Sequence, residues 1–452
     1  MAMFKVTIAF CLSLMACSAN AAALRAAVSK VDITPATGEV MWGFETRTTP
    51  AKSTLDPLYA RVLVLESGSQ RLALVTLDLG RSFGPEATDE IRQAVRKSSG
   101  ITCLLLSASH THSAPGVQDT YKKGVPAWER AARDKIKKAI KEATDHLVEA
   151  RIGTGTGIAY IGHNRLRVDA EGKVGWFERN PTKIPTTPVD PTVTVVRVDT
   201  KEGKPLAIIV NYACHPVVLG EDNQQYSADY PAAMNRTVEQ ALPGAMSFFL
   251  EGAPGDINPY FTQQPLNQDA LKMLSWTGEH LGQEAARVAK EIHTEGGDSS
   301  IQSSEETMKF PLRWNPEQFH AALLKFLGPD QFEGYMDPKA RDFSVPVATV
   351  LINKQIALMT FPGEPFVEFQ MNWRDRCPVG TALMAGYTNG YYGYFPTIAA
   401  AARGGYGAAS AATWVEPGAG ERIVDRAVVN ILKMLGRLAD MPDDLKGNVY
   451  KP

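Results

Sequence analysis

Several segments of this chain deliver an apolar run into residues able to move protons or hold metal. The first is Cys103-Leu104-Leu105-Leu106-Ser107-Ala108-Ser109-His110-Thr111-His112. In an extended chain, residues two apart share a face, so this spacing predicts two imidazoles side by side. Paired neutral imidazoles suit Zn²⁺, or one ligand beside an acid/base group. The structural alternative is a pair of hydrogen-bonded loop histidines. A second run, Val210-Asn211-Tyr212-Ala213-Cys214-His215-Pro216, hands over another histidine, and Pro216 ends the strand. Three protein ligands and an open position make the catalytic zinc arrangement, so a third imidazole strengthens the metal reading.

A third run breaks at Pro362-Gly363 and presents Glu364. Its carboxylate could be a ligand or a general base. Alternatively it serves the start of a following helix, where an anion is favoured. A fourth segment, Gly386 to Thr397, sets Tyr391, Tyr392 and Tyr394 among glycines, suggesting phenols aimed by a bent backbone. Asp256, in Gly255-Asp256, could orient a metal-bound histidine or cap a turn. His146, His280, His293 and His320 fall in or beside helical patterns and are read as structural. The sequence contains no HExxH, GxSxG or GxxxxGK[ST] motif.

These residues need strands to aim them, and the strand signals are clear. Ala60–Glu66 and Leu72–Asp78 read as a hairpin around a five-residue loop, Ser67 to Arg71. Thr192–Asp199 and Leu206–Tyr212 repeat the device around Glu202-Gly203. Val347–Ile352 and Gln355–Phe361 repeat it around Asn353-Lys354. Hairpins require antiparallel pairs, which excludes a purely parallel doubly wound sheet. Helices are predicted over Pro85–Ser99, on the rows Ile136/Ile140/Ala143/Leu147 and Leu281/Ala285/Val288/Ile292, and from about Glu421 to Leu438. The expected fold is one large mixed α/β domain over 22–452, its hairpin-rich sheets flanked by helices.

Composition agrees with a folded enzyme-sized chain. Of 452 residues, 44% are apolar and 21% charged, and 47 basic against 49 acidic side chains give a net charge of −2. That balance excludes disorder as the main state and supplies no basic face for nucleic acid. The apolar run Val6–Cys17 followed by Ala19-Asn20-Ala21 predicts a signal peptide over 1–21 and an exported protein, periplasmic or secreted. The rival reading is a lipoprotein anchored through Cys17. No later run is long enough to span a membrane. Cys103, Cys214 and Cys377 are too few and too scattered for a disulfide framework.

Taken in order, the motifs resemble the neutral/alkaline non-lysosomal ceramidase family. The resemblance runs from about Ala27 to Tyr406. It rests on Val31-Asp32-Ile33-Thr34-Pro35, Trp42-Gly43-Phe44, Asp56-Pro57-Leu58-Tyr59, His110-Thr111-His112-Ser113-Ala114-Pro115-Gly116, Asn164-Arg165, Val189-Asp190-Pro191-Thr192, His215-Pro216, Gly255-Asp256, Gly363-Glu364 and Asn389-Gly390-Tyr391. It implies an amidase that cuts ceramide into sphingosine and fatty acid with one catalytic Zn²⁺. On this chain the implied ligands are His110, His215, Glu364 and Tyr391, with Tyr394 an alternative to Tyr391. His112 and Arg165 are implied at the reacting amide, and Tyr406 as a further active-site tyrosine. Zinc lowers the pKa of bound water towards ~7 and polarises a carbonyl. His112, Arg165 or a tyrosine can supply donors to the oxyanion. Two departures bear on the substrate. Asn258 stands where the family's Asp-x-Ser-Pro-Asn turn carries a functional Ser, and the stretch after Tyr406 is too short for the family's immunoglobulin-like C-terminal domain. Alternatives are a zinc hydrolase of a different amide or ester, and a non-catalytic binding protein that keeps the fold.

Overall fold

The computed structural model describes residues 22–438, apart from 45, 46, 336 and 338. The expected signal peptide and Cys17 lie outside the described residues. Tyr59–Ser67, Gln70–Leu77 and Cys103–Ala108 are rich in apolar residues and buried at nearly every position, the pattern of strands covered on both faces. They belong to an eight-stranded sheet. Across it the order is Met246–Glu251, Pro205–Tyr212, Thr192–Thr200, Val148–Ile158, Arg25–Asp32, Tyr59–Ser67, Gln70–Leu77 and Cys103–Ala108. The two outermost pairs are parallel and the inner ones antiparallel. A four-stranded sheet of Ile301–Pro311, Asp342–Ile352, Ile356–Thr360 and Thr381–Ala385 ends in another parallel pair.

Period-two alternation sorts the side chains of each strand into separate cores. Leu63, Leu65 and Leu105 meet Val350, Leu358 and Leu383 between the two sheets. Their neighbours Val62, Val64 and Leu104 face Ile91 and Ile136 of the helices Pro85–Ser99 and Ala127–Asp145. Val193, Val195 and Val210 pack on the helices Tyr230–Ala241 and Ala270–Glu291. Phe369, Trp373 and Ile431, from the helices Val367–Arg376 and Ala419–Met434, cover the second sheet. The layers run helix, sheet, sheet, helix, the mixed α/β arrangement that the hairpins and helical rows predict.

Some boundaries differ from expectation. Ser67 pairs directly with Gln70, so the first hairpin closes on Gly68-Ser69 rather than on five residues. Gly68, at φ 59, takes the left-handed conformation such a tight turn needs. The last helix stops at Met434 rather than Leu438, just before Gly436 at φ 67. Leu147 and Ile292 sit immediately beyond their helices, yet both remain buried.

The site depends on how the large sheet closes up. Its outer strands, Cys103–Ala108 and Met246–Glu251, approach one another. The chain leaving Thr381–Ala385 fills the gap between them. Gly386 N–H donates to Glu251 O at 2.9 Å, and Ala108 N–H donates to Tyr387 O at 3.2 Å. The Asn389 side chain accepts from Leu106 N–H and donates to Leu104 O, both at 2.8 Å. The carboxyl ends of strands distant in sequence are thereby held at one place.

Candidate metal centre

His110, His112 and His215 converge there, each offering a nitrogen within 4.8 Å of the others. The extended-chain argument does not explain the pair. His110 is left-handed at φ 66, and this bend sets its Nε2 3.2 Å from His112 Nε2. The Nδ1–H of His110 donates to Gly80 O at 2.6 Å, and the Nδ1–H of His215 to Ile257 O at 3.1 Å. Such backbone bonds fix the tautomer and leave each Nε2 as a lone pair directed inward. Glu364 Oε2 lies 3.1 Å from His215 Nε2 and 3.6 Å from His110 Nε2. Glu364 precedes the helix that begins at Val367, so it is a member of this cluster rather than a helix-start residue.

Tyrosines complete the floor. Tyr391 Oη donates to Glu364 Oε1 at 2.6 Å, and Tyr387 Oη to Glu364 Oε2 at 3.2 Å. Tyr387 also stacks on His110 with ring centroids 4.0 Å apart. Tyr394 pairs with Glu364 in a short parallel bridge and accepts from Arg165 Nη2 at 2.8 Å. Arg165 donates further to Asn258 Oδ1 at 3.0 Å and Gly255 O at 2.7 Å. Asn258 is therefore engaged in holding Arg165. Tyr406 stands at the mouth, 41% exposed, its ring 5.5 Å from that of Tyr394. Asp256 serves neither histidine. Its oxygens accept from Val367 N–H at 2.8 Å and from the Asn164 amide at 2.6 Å, which braces the first turn of a helix and the Asn164-Arg165 corner.

The electrostatics suit a cation. Burial pushes the His110 imidazole down to about 4, in spite of the Glu364 carboxylate beside it. Burial likewise lowers His215 and carries His112 well below its ordinary value. Burial alone would raise Glu364, but the neighbouring His110 and His215 rings and the hydroxyl bond from Tyr391 hold it well below the usual carboxylate range. Neutral imidazole lone pairs and an ionised carboxylate thus face one small volume, a donor set suited to a divalent metal ion.

Three contributors escaped sequence reasoning. Tyr387 carries no signal beyond Gly386 before it. Trp42-Gly43-Phe44 is a recognisable motif, but only the fold shows Phe44 edge-on to His112 at 5.0 Å. Arg47 donates to the carbonyls of both Trp42 and His112, joining that motif to the histidine loop. Gly43, at φ 102, is the tight point, because a Cβ there would lie 2.3 Å from His112 Cγ. Gly43→Ala is expected to displace His112 and lower kcat roughly 10²-fold, the effect of about 1 Å of misplacement, with the metal retained. Steady-state kinetics with elemental analysis checks this, and a wild-type kcat would show that His112 need not sit where Gly43 allows.

Inward-facing imidazoles and a carboxylate at the strand ends of a mixed α/β fold form a group that could hold a metal ion. The family model of the neutral/alkaline non-lysosomal ceramidases, N-terminal region, matches residues 25–324, and the chain belongs to that family. Glu364 and the tyrosines lie beyond the matched stretch. The structure is similar to a neutral ceramidase from Pseudomonas aeruginosa, with 19% sequence identity and a TM-score of 0.73 over 93% of this chain and 77% of that one. A ceramidase structure complexed with C2 gives the same figures. Comparison with curated proteins gives no match. Family and fold together support a hydrolase.

Proposed function

We propose that the chain is an exported, zinc-dependent amidase that cleaves the N-acyl bond of ceramide or a related N-acyl lipid. The observation that carries this reading is the convergence of His110 Nε2, His215 Nε2 and the Glu364 carboxylate, each imidazole oriented through its other nitrogen by a backbone carbonyl. His110, His215 and Glu364 would hold the ion, with a tyrosine, Tyr391 or Tyr394, beside them. When bound, zinc supplies Lewis-acid polarisation of a carbonyl and acidifies water.

The remaining residues act on the reacting amide. His112 lines the cavity, and its Nδ1 has no hydrogen-bond partner. Neutral at pH 7, its ring takes a proton as general base and returns one to the departing amine. Arg165, fixed by Asn258 and Gly255, donates to Tyr394 and makes that hydroxyl a better donor towards a developing oxyanion. Metal analysis of the purified mature protein, with a panel of N-acyl amides and identified products, tests the reading. The expected result is one zinc per chain and release of fatty acid with free amine. Full activity after exhaustive chelation, or release of no fatty acid, overturns it. An intact mass placing the first residue at Ala22 tests export.

A further inference from the structure

Tyr387 reaches two of the donor segments, once through its backbone and once through its side chain. Its N–H donates to Gly363 O at 3.1 Å, one residue before Glu364. Its carbonyl accepts from Ala108 N–H at 3.2 Å, two residues before His110. Its ring lies on the His110 imidazole, 13° from parallel with centroids 4.0 Å apart. Its hydroxyl donates to Glu364 Oε2 at 3.2 Å. That oxygen faces His215 Nε2 and His110 Nε2, while Tyr391 bonds the other oxygen, Oε1. A carboxylate gripped at both oxygens cannot turn about its last bond without giving up a buried hydrogen bond.

Tyr387 makes these contacts from an unfavourable backbone. It sits at φ 48, in the left-handed region where Cβ crowds the chain and a bulky residue is rarely found. Glycine takes that conformation freely, yet the glycine stands at 386, where a Cβ would lie 2.4 Å from Gly252 O. A residue strained in this way persists only where its surroundings hold it, and such residues cluster at functional sites. Tyr387 is not placed to meet a substrate. It is fully buried, while Tyr391 and Tyr394 line the cavity together with His110 and Glu364.

We infer that Tyr387 is a positioning residue for metal capture, its hydroxyl setting the rotation of Glu364 while its ring backs His110. Both donors are thereby aimed before an ion arrives. This rests on the metal-centre reading given above. The strain at Tyr387 then has a purpose, because only a side chain at this point of the turn spans from the imidazole to the carboxylate.

The test compares the wild type with Tyr387→Phe and Tyr212→Phe, each as the metal-stripped, full-length mature protein, by zinc titration against a competing chelator. Tyr387→Phe keeps the stacked ring and deletes only the hydroxyl. It is expected to weaken zinc binding about 10- to 100-fold, the usual cost of losing a hydrogen bond that orients a ligand. Tyr212 is also buried, and its hydroxyl donates to Ala159 O at 2.6 Å, outside the donor cluster. Tyr212→Phe therefore loses a buried hydroxyl of the same kind and should bind zinc as the wild type does. Unchanged zinc affinity in Tyr387→Phe, or an equal loss in both variants, overturns the inference. A second measurement stands even if the wild type takes up no zinc and the metal reading fails. In a crystal structure of metal-free Tyr387→Phe, Glu364 Oε2 is expected to leave His215 Nε2. A Glu364 side chain unmoved from its wild-type place overturns the inference by itself.

Discussion

Glu364→Ala is expected to strip the metal and lower amide hydrolysis by about 10³-fold or more. Glu364 brings the negative charge to a centre otherwise made of neutral imidazoles. Without it, His110, His112 and His215 face one another with no anion to offset a divalent cation. A bound metal contributes several kcal/mol of transition-state stabilisation, and about 4 kcal/mol corresponds to about 10³ in rate at 1.36 kcal/mol per decade. The loss also leaves the Tyr391 and Tyr387 hydroxyls without their acceptor, each in a buried position. Glu364→Gln keeps the shape and removes the charge, so it separates packing from ligation and should lose metal as well. His215→Ala should behave in the same way. Elemental analysis and kcat/KM decide the matter. A Glu364→Ala protein with a full complement of metal would mean that the three histidines alone form the ligand set.

His112→Ala gives the second large effect, of a different kind. It is expected to retain the metal while losing 10²- to 10⁴-fold in kcat, the span of general acid–base catalysis. The distinction rests on the second ring nitrogen. Ligating histidines are generally oriented by a hydrogen bond from that nitrogen, which His110 gives to Gly80 and His215 to Ile257. His112 Nδ1 has no such partner, and its ring is placed by packing on Gly43 and Phe44. Metal lost together with His112 would make it a third ligand, and a variant with metal and a wild-type rate would remove it from the chemistry altogether.

Much of this centre was legible because each donor follows an apolar run that can only be a buried strand. His110, His215 and Glu364 each follow such a run, and the order of motifs supplied the family. The pairing of His110 with His112 was anticipated for the wrong physical reason, since a left-handed residue rather than an extended one brings the rings together. For Asp256 the sequence left two readings open, a histidine's partner or a turn cap. Gly-Asp at a strand end looks like a metal-site turn, but whether its carboxylate meets a histidine or a helix N-terminus depends on where Val367 packs. Tyr387 and Arg47 belong to loops whose partners at the site lie far away in sequence, and no local pattern encodes those meetings. The helix from Pro85 to Ser99 was legible to the residue, because Pro opens it and Gly100 reverses the chain.

The way Gly386–Asn389 wedges between the two outer strands also bears on when the site comes into being. His215 and Glu364 are 149 residues apart, and an ion joining them with His110 acts as a cross-link over very long stretches of chain. The entropy of closing such loops grows only slowly with their length, and the affinity of the site adds directly to folding free energy. The carboxylate and the phenols belong to the last third of the polypeptide, which the wedge ties to Leu104 and Leu106. A metal ion held by these residues would therefore be a clasp that shuts only once the last third of the chain has packed on the rest.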